Sequence, residues 1–174
     1  MLHRLLVTLL LVGAPASSSA TASQDTSALH FGGFRAGARL DQVDAALRRA
    51  GSRLHCDRAK RDRRVSECRG TVADSSTGGV RVWVSAIDSV AGVITLSATM
   101  DSAMLGRWRA DLERRYGRVP TKVQGSQRMM QWVRRGRMVR LTWRTERGGL
   151  VASLSLVDGR VLDAWGAERA DPSP

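Results

Sequence analysis

From Val80 to Val157 this 174-residue chain repeatedly alternates apolar with polar side chains at a period of two. Successive strand residues point to opposite faces of a sheet, so such runs can bury one face only as β-strands. Val80, Val82, Val84 and Ala86 alternate with Arg81, Trp83, Ser85 and Ile87. Ile94, Leu96, Ala98 and Met100 alternate with Val93, Thr95, Ser97 and Thr99, completing a hairpin across a turn near Asp88–Gly92. Three more strands are predicted near 127–134, 137–145 and 149–157. A tight turn at Arg135-Gly136 would set Met130 opposite Leu141 and Trp132 opposite Val139, which gathers apolar residues on one face. Leu150, Ala152, Leu154 and Leu156 extend that pattern. Earlier in the chain, strands are predicted near 53–57 and 65–73. An exposed loop over 58–64 joins them, and a turn, DSSTGG, follows at 74–79.

Two segments switch to helical spacing. Leu40, Val43, Ala46 and Leu47 predict a helix over about 41–50, with Gly51 as its stop. Asp101 reads as an N-cap for a helix over about 102–116, whose apolar face is Leu105, Trp108, Leu112 and Tyr116. Pro120 and Gly125 mark a loop. The tail from 158 is expected to hold one short element ending near Trp165, with 166–174 frayed. The order helix, strands, helix, strands defines an α+β chain. It has two helix-then-antiparallel-strands units, 30–100 and 101–165. They would form one long antiparallel sheet with the helices packed on one face.

The first residues read as an address. Arg4 precedes an apolar run, Leu5–Val12, and a small, polar segment ends in Ala20-Thr21-Ala22. This is the pattern of a secretory signal peptide over 1–22, cut after Ala22 or alternatively after Ala20, with 23–29 as a polar linker. The protein is then expected to be exported, to a periplasm or the exterior. No apolar run reaches the ~18 residues that a membrane span requires. Export bears on the only two cysteines, Cys56 and Cys68. An even number in an exported chain favours a disulfide. The rivals are two free thiols, or a metal pair with His55 that only Asp57 could complete.

Composition excludes some classes and opens others. Hydrophobic residues at 43% and charged residues at 25% exclude a wholly disordered or collagen-like chain. The net charge is +12, and all but two of the 28 basic residues are arginine. Removing the signal peptide takes one arginine and leaves 27 − 16 = +11. Outside the cytoplasm, nucleic acid is a poor default partner for such a charge. Lipid headgroups, wall polymers and acidic proteins are better ones. Arginine-rich coding bias would also account for part of the excess.

The residues do not assemble recognisable catalysis. Beyond the signal peptide the only histidines are His30 and His55, and no GxSxG, HExxH, P-loop or GxGxxG motif occurs. Arginines surround Asp57, Asp62 and Glu67 and would lower their pKa values, the opposite of what a general acid needs. The expectation is a non-enzymatic protein without catalytic residues, cofactor or metal. A small hydrolase with a noncontiguous site is an alternative. Arg58, Lys60, Arg61, Arg63 and Arg64 crowd one loop, and Arg134, Arg135 and Arg137 crowd a hairpin tip. Arg140 and Arg144 point outward with Thr142, as do Met129 and Met138, while Trp83 shares its face with Arg81 and Ser85. That face is either an open binding surface or lies under a helix. The binding candidates are Arg81, Trp83, Arg140 and Arg144, with Arg61, Arg63 and Arg64 steering an anionic protein or envelope surface toward them.

The stretch HFGGFRAGARLDQVDAALRRAG, then Cys56, eleven residues, then Cys68-Arg69-Gly70, resembles the first repeat of secreted β-lactamase inhibitory proteins and the related fold of small outer-membrane assembly lipoproteins. Phe34, Gly37, Gln42, Val43, Cys56, Cys68, Arg69 and Gly70 carry the likeness, which covers about residues 31–75. The second half has no cysteine pair. The resemblance implies two helix-plus-sheet repeats in one long curved sheet. It also implies an alternative function, inhibition of a secreted hydrolase, with Asp74 in a projecting loop.

Overall fold

A computed structural model describes residues 29–73 and 79–170. The predicted signal peptide, most of the linker, residues 74–78 of the predicted turn with Asp74, and residues 171–174 lie outside the described residues.

The chain opens with a small hairpin, β1 (His30–Phe31) and β2 (Phe34–Arg35), then α1 (Leu40–Arg49). Four strands follow: β3 (His55–Arg58), β4 (Val65–Val72), β5 (Val80–Ile87) and β6 (Val90–Met100). Next come α2 (Ser102–Tyr116) and four more strands: β7 (Lys122–Gln124), β8 (Gln127–Arg134), β9 (Arg137–Glu146) and β10 (Gly149–Asp158). The described chain ends in α3 (Gly159–Ala170). The main sheet has eight strands in the order β3-β4-β5-β6-β10-β9-β8-β7, with every pairing antiparallel. Each half is a helix followed by a four-stranded meander. The last strands of the two meanders zip the halves together, with Leu96 opposite Leu154. The expected α+β fold with one long antiparallel sheet is therefore present.

Alternation sets the two faces. Val82, Val84, Ile94, Leu96, Leu141, Leu154 and Leu156 are all buried on the face that α1 and α2 cover. Helix α1 presses Leu47 toward Gly70 of β4, where an added Cβ would stand 2.7 Å from the leucine Cδ1. Glycine there lets the helix approach the sheet. Helix α2 is capped by Asp101, whose carboxylate accepts the Met104 N–H at 2.7 Å. It lies over the other half, with the Arg109 guanidinium 5.5 Å from the centre of the Trp143 ring. The β8–β9 turn falls at Arg135-Gly136, with φ of 47° and 73°. Two left-handed residues make a two-residue turn that matches the strand twist. It delivers the expected register, Met130↔Leu141 and Trp132↔Val139.

Several elements differ from the sequence expectation. Residue 29 is no linker: Leu29 is buried in the core. The β1–β2 hairpin behind it is pinned to α2. Tyr116 Oη accepts the His30 N–H at 2.8 Å and donates to His30 O at 2.7 Å, and Phe31 packs edge-on against Trp108. The β5–β6 turn is shorter than Asp88–Gly92, because β6 already begins at Val90. A bulge at Ser85/Ala86 permits this, and Ala91 gains a bond to Ala38 O. The loop around Pro120 and Gly125 contains the edge strand β7. Finally, 166–170 is not frayed. Helix α3 continues to Ala170, and Leu162 lies over Gly92 near the end of the sheet where β6 begins. It therefore does not share the α1/α2 arrangement. Among the described residues no helix is long and apolar enough to cross a membrane.

Candidate functional site

The outer face of the sheet is built by the polar members of each alternating strand. Register places them in rows across the strands. One row runs Arg69, Trp83, Thr95, Ser155, Arg140, Gln131. The next runs Thr71, Arg81, Ser97, Ser153, Thr142, Met129. Strands β6 and β10 thus lay a hydroxyl strip between a β5 side carrying Arg81 and Trp83 and a β9 side carrying Arg140 and Arg144. Three strand spacings separate the two sides, about 14 Å. Within the strip Thr95 Oγ1 and Ser155 Oγ lie 3.1 Å apart.

Trp83 is 37% exposed, so the outer face is open around it, while Ile87 at the α3 end of the same face is buried. Its neighbour Arg81 is exposed and has no carboxylate partner among the described residues. The β9 arginines are more committed. Arg140 is half-buried and donates to Gln131 Oε1 at 3.1 Å and to Met138 Sδ at 3.6 Å. Arg144 donates to Glu146 Oε1 at 2.6 Å, which cancels part of its charge. Met129 and Met138 are half-buried on the same outer face.

The loop arginines divide. Arg61 and Arg63 are exposed. Arg64 instead clamps the β3–β4 loop to the β5–β6 turn: Nη2 meets Asp88 Oδ2 at 2.7 Å, and Asp88 N–H donates to Arg64 O at 2.9 Å. Its role is structural more than steering. Arg137 is also not an exposed member of the hairpin tip. It is buried, and Nε donates to the buried Asp158 Oδ2 at 2.8 Å, where Arg160 joins. Burial would be costly for an unpaired guanidinium, so the two charges come as a set. Register alone could have shown it, since Arg137 sits opposite Asp158 at the end of β9 and β10.

Cys56 and Cys68 are disulfide-bonded, directly opposite one another on β3 and β4. The predicted candidates therefore fall into three places: the outer face, the β3–β4 corner, and, for Asp74, outside the described residues. The sequence reading missed the hydroxyl strip between the arginine-bearing strands. Thr95, Ser97, Ser153 and Ser155 gave a signal, being the polar halves of their alternations, but only the β6–β10 pairing brings them together. Comparison with known protein families, curated proteins and solved structures finds no match to this chain.

Proposed function

We propose that the protein is an exported, non-enzymatic interaction module that docks an anionic partner, an acidic protein or an envelope surface, on the outer face of its sheet. The observation that carries this reading is Trp83, half out of the surface between Arg69 and Arg81, on the face that α1 and α2 leave open. Tryptophan and arginine are the side chains most often found at the centre of binding energy. Arginine forks suit carboxylate and phosphate oxygens. The neighbouring hydroxyls can donate or accept without adding charge. Export follows from the predicted signal peptide, and a disulfide is at home in that compartment.

The test measures binding of the oxidised mature chain to polyglutamate and to phosphatidylglycerol vesicles. Raising salt from about 0.1 M to about 1 M shortens the screening length from about 10 Å to about 3 Å. Affinity is expected to fall steeply, and Trp83→Ala to weaken binding about tenfold at fixed salt. Salt-independent binding, or a Trp83→Ala chain that binds like the parent, overturns the reading.

A further inference from the structure

Strand β3 is an outer edge of the sheet, and its backbone polarity can be worked out residue by residue. The Cα atoms of Cys56 and Cys68 are 4.0 Å apart. That spacing belongs to the close, non-hydrogen-bonded class of antiparallel pair, not to the class near 5.5 Å. One step beyond Arg58, Ala59 N–H donates to Val65 O at 2.9 Å. Both observations give the same parity. His55, Asp57 and Ala59 turn their backbone groups to β4, while Cys56 and Arg58 turn theirs outward. Among the described residues no strand pairs with that outward side. All four side chains of β3 are exposed.

The surroundings select the occupant. Residues 48–69 hold nine Lys and Arg against three Asp and Glu. Beside the start of β3 a shallow cleft of about 580 Å³ is lined by Arg48, Gly51, Ser52, Arg53 and His55. Arg48 is held by Asp44 at 2.7 Å, whereas Arg53 feels the same carboxylate only at longer range and forms no direct ion pair among the described residues. A second copy of this chain would bring the same positive charge to the edge, the ordinary guard against self-pairing. The other edge, β7, is only three residues long and follows Pro120, so it offers little ladder. The disulfide holds β3 against β4 before any ligand arrives, so less ordering is left for binding.

We infer that the outer edge of β3 is a strand-addition site for an extended acidic segment of a partner protein. Its main chain would pair with the outward N–H and C=O groups of Cys56 and Arg58, and an acidic side chain would reach the Arg53 cleft. This site is separate from the Trp83 face.

The probe is a fluorescent peptide of about eight residues alternating Glu and Val, long enough to span a strand, compared with the same peptide N-methylated at alternate amides. Anisotropy is read with the oxidised chain. The plain peptide is expected to bind at least about tenfold more tightly than the better of the two methylated registers, because methylation removes ladder donors. Arg53→Glu and Arg58→Pro are expected to weaken binding by a similar factor, whereas Arg58→Gln weakens it less. Arg58→Pro deletes an outward N–H and leaves the β3–β4 ladder intact. Circular dichroism and intact mass check the fold and the disulfide. Arg81→Glu and Trp83→Ala should leave the ratio of plain to methylated peptide affinity unchanged, which separates this site from the sheet-face reading. Equal binding of plain and methylated peptides overturns the proposal even if Arg58→Pro fails to fold. So does binding to phosphatidylglycerol vesicles alone, or a dimer in sedimentation that Arg58→Pro dissolves.

Discussion

The first half, α1 with β3–β6, and the second, α2 with β7–β10, share one topology and secure it differently. The meander of the first half buries aliphatic side chains and no aromatic one, Val80, Val82, Val84 and Ala86 of β5 with Ile94 and Leu96 of β6, beneath a ten-residue helix that contributes Val43 and Leu47. Its outermost strand is tied by the Cys56–Cys68 bond. The second half has no cysteine. It buries Met130, Trp132 and Trp143 beneath a fifteen-residue helix with Leu105 and Leu112. Trp132 also donates its indole N–H to Gly117 O at 2.7 Å, joining β8 to the end of α2. A meander with buried aromatic side chains can hold itself through packing. One with aliphatic side chains alone and an exposed edge strand gains from a covalent tie.

That contrast can be broken from either side. The largest effect is expected from Trp132→Ala, which empties a buried aromatic site and leaves Gly117 O without its donor. Equilibrium urea unfolding should show a loss of about 3–5 kcal/mol. A loss below about 1 kcal/mol would mean that packing does not hold the second half. Next comes Cys56→Ser combined with Cys68→Ala, expected to cost about 2–3 kcal/mol in the same assay. The damage should be local: amide exchange should rise in β3 and β4 and stay unchanged in β8 and β9. Uniform acceleration across the sheet would remove the distinction between the halves.

The smallest effect concerns the junction of α1 with β3. The Leu54 N–H bonds the Asp44 carboxylate at 3.0 Å and, with Arg48 beside it, holds its pKa below the ordinary 3.8. The folded state therefore favours the ionised form. The small stabilisation is fully present above about pH 4 and fades as pH falls through the folded value. Asp44→Asn should flatten that part of the acid-stability profile. An unchanged profile would show that the bond has no energetic consequence.

The sequence was most legible where periodicity and punctuation agreed. The register of β8 on β9 followed from the Arg135-Gly136 turn and the inward Met130 and Trp132. Helix α2 began after Asp101 and ended before Gly117, as its capping residues require. The missed elements lack such signals. Strand β7 is three residues that exist because β8 offers a ladder. Helix α3 has apolar residues, Val161, Leu162 and Trp165 among them, but only a weakly one-sided pattern, and packing over Gly92 supplies what that pattern does not. The candidate site was legible in part. The outward sense of Arg81, Trp83, Arg140 and Arg144 is a parity statement, which one strand suffices to give. Their separation by a hydroxyl strip depends on β6 meeting β10, a pairing between residues over fifty positions apart.

The sequence by itself determined which residues face together along each strand, where the two main helices begin and end, and that two cysteines stand across a short loop. These are local properties, set by period, capping and turn chemistry within a few residues. The tertiary structure decided how the two meanders join, and that Arg137 is buried against Asp158 while Arg81 meets no carboxylate among the described residues. It also decided that β3 is an edge that no other described strand covers. An arginine's chemistry is the same at every position. Whether it ties the fold together or faces a partner depends on what the distant chain places opposite it.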